Sequence, residues 1–275
     1  MNEKMIAIVV NERPRSVPEG TTVAIVRDEV KPGADVLVVN GFPSGPEAEL
    51  SEGDEVVLIR RGEIPDEHEL EGFMVARHTP RVHGVMKRAT VGIAGLGGLG
   101  SNVAIALGRM GIGRLILADF DVVEPTNLNR QQFGIEHLGM RKTDAMKRIL
   151  QGINPYLDVE THTVVLDSGN VPEIFRKASI VVECFDRAEA KSMIISAVSE
   201  SMPDTYVIGA SGLAGYGNSN TIRTMKLGEK IFMIGDLVTA AEPGRGLMAP
   251  RVGIAAHHQA NLVVALLMDP DNLEL

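Results

Sequence analysis

One segment constrains the fold of this chain more than any other. Val91-Gly92-Ile93-Ala94 is the apolar run of a buried strand, Gly95-Leu96-Gly97-Gly98-Leu99-Gly100 is a glycine-rich turn, and Ser101 lies just inside a helix expected over Leu99–Met110. In a strand–loop–helix unit of this kind, bare backbone at Gly95, Gly97, Gly98 and Gly100 can turn tightly and approach a phosphate. The helix then aims its unpaired amides and the positive end of its dipole at that anion. The expectation is a parallel sheet that binds a nucleotide.

The rest of the chain agrees with such a sheet. From Thr90 onward, strand and helix patterns alternate, as in a doubly wound α/β fold. Strands are expected over Arg114–Asp119, Val159–Val165, Ser179–Glu183, Thr205–Ala210, Thr221–Met225 and Lys230–Ile234. Helices are expected over Lys142–Ile153, stopped by Asn154-Pro155, and over Val171–Arg176, Arg187–Ser201 and Gly253–Met268.

Residues 5–61 read differently. Met5–Val10 is an apolar strand, Asn11-Glu12-Arg13-Pro14 is turn chemistry, and Arg15–Val17 begins a return strand. Thr21 or Thr22 can cap a short helix over Val23–Glu29. Further strands are expected at Val36–Asn40 and Glu55–Arg60. This order is that of a small ubiquitin-like β-grasp. The expected division is therefore 1–62 for the β-grasp module, 63–88 for a connector with a helix near Glu67–Ala76, and 89–275 for the nucleotide-binding domain.

Composition removes several classes. A formal net charge of −9 argues against nonspecific binding of nucleic acid, which is driven by phosphate neutralisation. No apolar run reaches the roughly 20 residues that span a bilayer, and the opening Met1-Asn2-Glu3-Lys4 has no signal-peptide core. The expectation is a cytoplasmic protein. Its single cysteine, Cys184, excludes an intramolecular disulfide and a four-cysteine zinc site within these residues.

A glycine loop with an acidic residue at the end of the next strand, Asp119, also suits an NAD-dependent oxidoreductase. The stretch that begins at that residue argues against one: Asp119-Phe120-Asp121-Val122-Val123-Glu124-Pro125-Thr126-Asn127-Leu128-Asn129-Arg130-Gln131-Gln132-Phe133. Together with the glycine loop, this stretch resembles the E1-like adenylyltransferases of the ThiF and MoeB type, which activate ubiquitin-like sulfur carriers. The resemblance extends through Gly139-Met140-Arg141-Lys142, Ile153-Asn154-Pro155, Val181-Val182-Glu183-Cys184-Phe185-Asp186 and the last helix, and covers about residues 77–270.

It implies an enzyme, a nucleotidyltransferase, that uses ATP and Mg²⁺ to convert a carrier's C-terminal carboxylate to an acyl-adenylate. Asn127, Arg130 and Lys142 would face the phosphates, Asp119 would hold the ribose, Asp186 the magnesium, and Asp121 would assist locally. The resemblance also implies a homodimer in which an arginine, Arg77 or Arg81, comes from the partner subunit. The carrier would be of the ThiS type, in thiamine biosynthesis. The first module itself resembles ThiS over Val10–Val23, Val38–Gly41 and Leu50–Val56, but it continues through Arg60-Arg61-Gly62-Glu63 where a carrier ends in Gly-Gly.

The chain departs from those relatives in its cysteines. Their two Cys-x-x-Cys pairs for zinc are missing, so no zinc is expected. Where a reactive cysteine belongs, the chain reads Ala240-Ala241-Glu242-Pro243-Gly244-Arg245-Gly246. Cys184 reads as a small buried residue rather than a nucleophile. Plainer readings remain: Asp121 as a local cap, Lys142 as an ordinary first-turn lysine. At the level of function, a molybdopterin-type or other ubiquitin-like carrier, a non-catalytic nucleotide-binding scaffold and an NAD-dependent oxidoreductase remain as alternatives.

Overall fold

A computed structural model describes residues 4–273 and Leu275. Two compact units divide the chain, Met1–Pro80 and Arg81–Leu275.

In the first unit, β1 (Met5–Val10) and β2 (Arg13–Pro18) form an antiparallel hairpin. Helix α1 (Val23–Val30) follows, and the Thr22 side chain accepts from the Ile25 amide at its N-terminus. Strands β3 (Val36–Val39), β4 (Phe42–Pro43) and β5 (Glu55–Ile59) complete a sheet of order β2-β1-β5-β3-β4, in which β1 and β5 run parallel. Ile6, Ile8, Val10, Val56 and Leu58 alternate onto one face and close over Val23 and Val26 of α1. That period of two is the pattern of a strand with one buried face. The β-grasp expectation holds, with the short β4 an addition inside Gly41–Gly45. Helix α2 (Glu67–His78), capped by Asp66, belongs to this unit.

Helix α3 (Pro80–Arg88) begins at the last residue of the first unit and otherwise belongs to the second, in a stretch where only a polar connector was expected. It was hidden because its apolar residues are few; Met86 is buried by packing that the local sequence does not announce. A parallel α/β pattern follows. Its elements are β6 (Thr90–Ala94), α4 (Gly98–Arg109), β7 (Arg114–Ala118), α5 (Lys142–Ile153) and β8 (Asp158–His162), then α6 (Val171–Phe175), β9 (Ile180–Glu183), α7 (Ala188–Ser201) and β10 (Tyr206–Ala210). Strands β11 (Arg223–Lys226) and β12 (Ile231–Gly235) and the long α8 (Ala249–Met268) end it. The sheet order is β11-β12-β10-β9-β6-β7-β8, parallel except for β11 against β12.

One face of this sheet packs on α4, α5 and α8 through Val91, Ile93, Leu115, Leu117, Val103 and Val263. The other packs on α6 and α7 through Ile116, Val181, Phe175 and Ile194. From β6 the chain runs to β7 on one side and returns to β9 on the other. The strand order therefore reverses between β6 and β9. Ligands of open α/β sheets bind in the crevice at the carboxyl ends of the strands flanking such a reversal. No helix among the described residues is long and apolar enough to cross a membrane.

Candidate functional site

The glycine loop leaves β6 at this crevice. Gly95 adopts φ +90°, and its amide donates to the Ala118 carbonyl at 2.8 Å. A side chain at Gly100 would fall on the Gly95 carbonyl oxygen. Gly98 lies against Val252 of α8 and the aliphatic stem of Arg130. These three glycines are required by the protein's own packing. Gly97 is not: it takes φ −73°, and a Cβ there would have only Gln131 Nε2 within 4 Å, at 3.9 Å. It is also the N-cap of α4 and offers no side-chain hydrogen bond to the first turn. The helix therefore begins at open, bare backbone with its first amides uncapped, which is the arrangement that accepts an anion.

Asp119 follows β7 and is buried. Its two carboxylate oxygens accept from the Leu96 amide at 2.6 Å and the Asp121 amide at 2.8 Å. It thus ties the glycine loop to the segment after β7. Burial raises its pKa, against the opposing pull of the Lys142 charge and those two amides.

The segment between β7 and α5 had no periodicity to read. A bridge between Val122 and Arg141 closes it, and the Lys142 amide donates to the Asp121 carbonyl at 3.0 Å. The Lys142 ammonium donates to Asp121 Oδ2 at 2.8 Å; Lys142 is buried and Asp121 half exposed. Lys142 is therefore not an ordinary surface lysine, and Asp121 is its partner.

Asn127 is buried in a 3-10 turn, where its Oδ1 accepts from the Glu124 amide at 3.0 Å. Any contact it makes with a ligand falls to its Nδ2. Arg130 is carried over Gly98, with Nη1 donating to Asn129 Oδ1 at 2.8 Å and to the Thr126 carbonyl at 3.3 Å. Its Nε and the neighbouring Gln131 Oε1 are buried without a partner. The unpartnered Arg130 donor beside an uncapped helix start fits an anionic ligand, whereas Gln131 Oε1, an acceptor, fits only a donor such as a hydroxyl or an amine.

Asp186 follows β9 in an exposed position on the loop beside Gly95, whose Cβ would meet the Cys184 carbonyl and the Phe185 ring. No cluster of three or more His, Cys, Asp or Glu side chains stands in metal-binding proximity among the described residues. A lone exposed carboxylate still suits Mg²⁺, which keeps several waters and takes the remaining oxygens from phosphates. Arg77 is in the first unit, where its exposed guanidinium lies 3.7 Å from Glu12. Arg81 is in the first turn of α3 in the second unit and is exposed. The fold therefore brings Gly95, Gly97, Gly98, Gly100, Asp119, Asp121, Asn127, Arg130, Lys142 and Asp186 to the carboxyl ends of β6, β7 and β9, whereas Arg77 belongs to the other unit.

Several contributors escaped the sequence reading. The Ser101 hydroxyl donates to the Gly97 carbonyl at 2.7 Å and accepts from the Gln132 amide at 3.2 Å. Asn102 donates to the Gly98 carbonyl at 2.7 Å and accepts from Gln132 Nε2 at 2.6 Å. These bonds dock the Arg130–Gln132 strip on α4. The only readable signal was the pairing of Ser101-Asn102 with a second amide-rich run. Cys184 is buried, with Sγ 4.0 Å from Gln259 Oε1; burial, then the Glu183 charge, raise its thiol well above the usual range. Such a thiol is not a nucleophile.

With this geometry in view, the similarity to known proteins is specific. The sequence profile of the ThiF family matches residues 78–274, and that of ThiS-like ubiquitin matches residues 6–62. The chain belongs to the ThiF family. Ubiquitin-like modifier-activating enzyme 5 of Drosophila willistoni is 34% identical over 152 residues, half of this chain and 37% of that protein. The protein of the same name from Oryza sativa subsp. japonica is 36% identical over 124 residues, 40% of this chain and 30% of that one. The match thus spans only about a third of these relatives' length. Among solved structures, E. coli TcdA, a tRNA N6-threonylcarbamoyladenosine dehydratase crystallised with ATP, superposes with a TM-score of 0.67 at 20% identity, over 76% of this chain and 98% of that one. E. coli MccB with ATP gives a TM-score of 0.52 at 23% identity, over 75% of this chain and 72% of that one. These likenesses establish that the ThiF-family unit has the E1-like fold.

Proposed function

We propose that this ThiF-family chain binds MgATP in the β6/β9 crevice and adenylates the C-terminal carboxylate of a separate ubiquitin-like sulfur carrier. One observation supports this above the others. Arg130, with an unpartnered buried Nε, packs its stem on Gly98, next to bare Gly97 at the uncapped start of α4. The homologous modifier-activating enzymes and the ATP-bound structural neighbours support the same reading.

The chemistry asks for this arrangement. A carboxylate oxygen attacks the α-phosphorus of ATP, the bond to the bridging oxygen breaks, and pyrophosphate departs with the electron pair. Two anions must meet, and charge must be stabilised as it moves. In our assignment Asp119 takes the ribose hydroxyls with its remaining lone pairs. The α4 amides, Arg130, Lys142 and Asn127 Nδ2 hold the phosphates; Arg can do so bidentately and Lys as a point charge. Asp186 holds Mg²⁺, which would neutralise phosphate charge. Asp121 keeps Lys142 in place until phosphates compete for it. Arg77 or Arg81 is supplied by the second subunit of a homodimer.

We further propose a ThiS-type carrier, thiamine biosynthesis and a cytoplasmic setting. The fused β-grasp module serves as a docking element, not as the substrate. Past Gly62 the chain carries no free carboxylate but turns back on its own module, with Glu63 at 3.7 Å and Glu69 at 2.7 Å from Lys31.

The test is to incubate the chain with MgATP and a panel of carriers and to weigh the carriers by mass spectrometry. One carrier should gain the mass of AMP at its C-terminus. If NAD, and not ATP, raises the melting temperature and no carrier is modified, the reading is wrong.

A further inference from the structure

Glu183 is the last residue of β9 and is completely buried, at 0% exposure. A carboxylate in such a place has to be explained by what it holds. Its Oε1 accepts from the Phe185 amide at 2.6 Å and from the Lys191 ammonium at 2.9 Å, and its Oε2 accepts from the Ala210 amide at 3.4 Å. Four pieces of structure meet on this one group: the end of β9, the loop after it, the first turns of α7 and the end of β10.

The strands explain why a bridge is needed there. The β9–β10 ladder ends at the pair Val182–Ile208. On the other side β9 stays with β6, and the Cys184 amide still donates to the Ala94 carbonyl at 2.9 Å. Beyond Val182 the two strands therefore part. Glu183 fills the gap with its carboxylate, while Gln259 of α8 donates to the Glu183 carbonyl at 3.1 Å and the Ile208 carbonyl at 3.3 Å. The loop released by this parting carries Asp186 to the crevice beside Gly95. Phe185, whose amide Glu183 grips, immediately precedes it.

An ion pair with one fully buried and one half-buried member is a poor way to gain stability, because desolvation offsets much of the attraction, and apolar residues of like size often do as well. What the pair supplies is a defined geometry. We infer that Glu183 and Lys191 are positioning residues for the proposed adenylation: the ion pair between buried Glu183 and half-buried Lys191 fixes the Cys184–Arg187 loop and so sets the Asp186 carboxylate where MgATP is held. This rests on the proposed assignment of Asp186 to Mg²⁺.

The experiment measures the Mg²⁺ concentration that gives half of the ATP-induced rise in melting temperature. It is run on the full chain for the wild type, Glu183→Gln, Lys191→Met, Lys191→Arg, the double variant Glu183→Leu/Lys191→Met, and Asp186→Asn. Glu183→Gln and Lys191→Met should raise that concentration at least five-fold, and Lys191→Arg should restore it to within two-fold. The apolar double variant should melt near the wild type without nucleotide yet still need the extra Mg²⁺, a separation that a purely structural role would not produce. If Glu183→Gln does not fold, the double variant decides. A folded Glu183→Gln or double variant within two-fold of the wild type, beside a shifted Asp186→Asn, overturns the inference alone. An unshifted Asp186→Asn overturns the Asp186 assignment and the inference with it.

Discussion

Alanine substitution along the glycine loop separates packing from ligand approach. At Gly100 a methyl group would fall on the Gly95 carbonyl oxygen. That oxygen is backbone in a loop already held by the φ of +90° at Gly95 and cannot give way. Gly100→Ala should therefore cost about 3 kcal/mol, the upper end of what overpacking does. At Gly98 the obstacles are side chains, Val252 Cγ1 at 2.9 Å and Arg130 Cγ at 3.3 Å. They can shift, so the cost should be about 1 kcal/mol, with Arg130 displaced. At Gly97 the only neighbour is Gln131 Nε2 at 3.9 Å, and the backbone is open to any residue. Gly97→Ala should cost less than about 1 kcal/mol, a difference set by the preference of N-cap positions for glycine over alanine. Its methyl group would nevertheless stand where a phosphate approaches the helix start. ATP affinity should fall at least ten-fold, about 1.4 kcal/mol. Urea unfolding gives the first quantity and calorimetric titration with MgATP the second. A stable Gly97→Ala that binds ATP as tightly as the wild type would refute the claim that this backbone is bare for a ligand.

Other substitutions test the same structure. Burial alone would raise the Asp236 pKa, but the hydroxyl and amide of Thr239, the Val238 amide and the Arg251 guanidinium outweigh it and hold the carboxyl at about 2 instead of 3.8. Depression of a folded-state pKa adds stability above the unfolded value, lost as pH falls through the folded one. Asp236→Asn should therefore cost about 2 kcal/mol at neutral pH, and denaturant melts should show that gap closing between about pH 4 and pH 2. Cys184→Ala removes a buried sulfur and should lower stability by about 1 kcal/mol while leaving pyrophosphate exchange within two-fold of the wild type; loss of exchange in the folded variant would make the thiol a participant. Lys142→Met should weaken ATP binding and leave the Asp121 carboxylate unpaired, which titration calorimetry and a melting curve would register separately.

How much of the molecule was legible depended on the range of the forces involved. Helix α5 begins and ends where expected, over Lys142–Ile153, because Asn154-Pro155 is a local stop signal. Strands β6, β7 and β9 were readable as apolar runs because both faces of a parallel sheet are covered. Strand β8 ends at His162 rather than continuing to Val165, because at the sheet edge it has only β7 to pair with. Helix α3 was missed, since its burial comes from distant residues. In the site, the acidic and basic residues could be named from their motif, but their partners could not. Lys142 meets Asp121 through a bridge that spans an aperiodic segment. Glu183 looked like the polar end of an apolar strand, and its bond to Lys191 exists only because β9 and β10 part. The bareness of Gly97, against the packing need for its neighbours, is visible only in three dimensions.

The central claim is that Arg130 and the open start of α4 hold ATP for attack by a carrier's carboxylate. Exchange of labelled pyrophosphate into ATP, run with a panel of ubiquitin-like carriers on the wild type and on Arg130→Ala, measures it most directly. The account predicts exchange that requires one carrier with a free C-terminal carboxylate and disappears in a folded Arg130→Ala. Wild-type exchange in Arg130→Ala, or ATP binding with no exchange for any carrier, would contradict it.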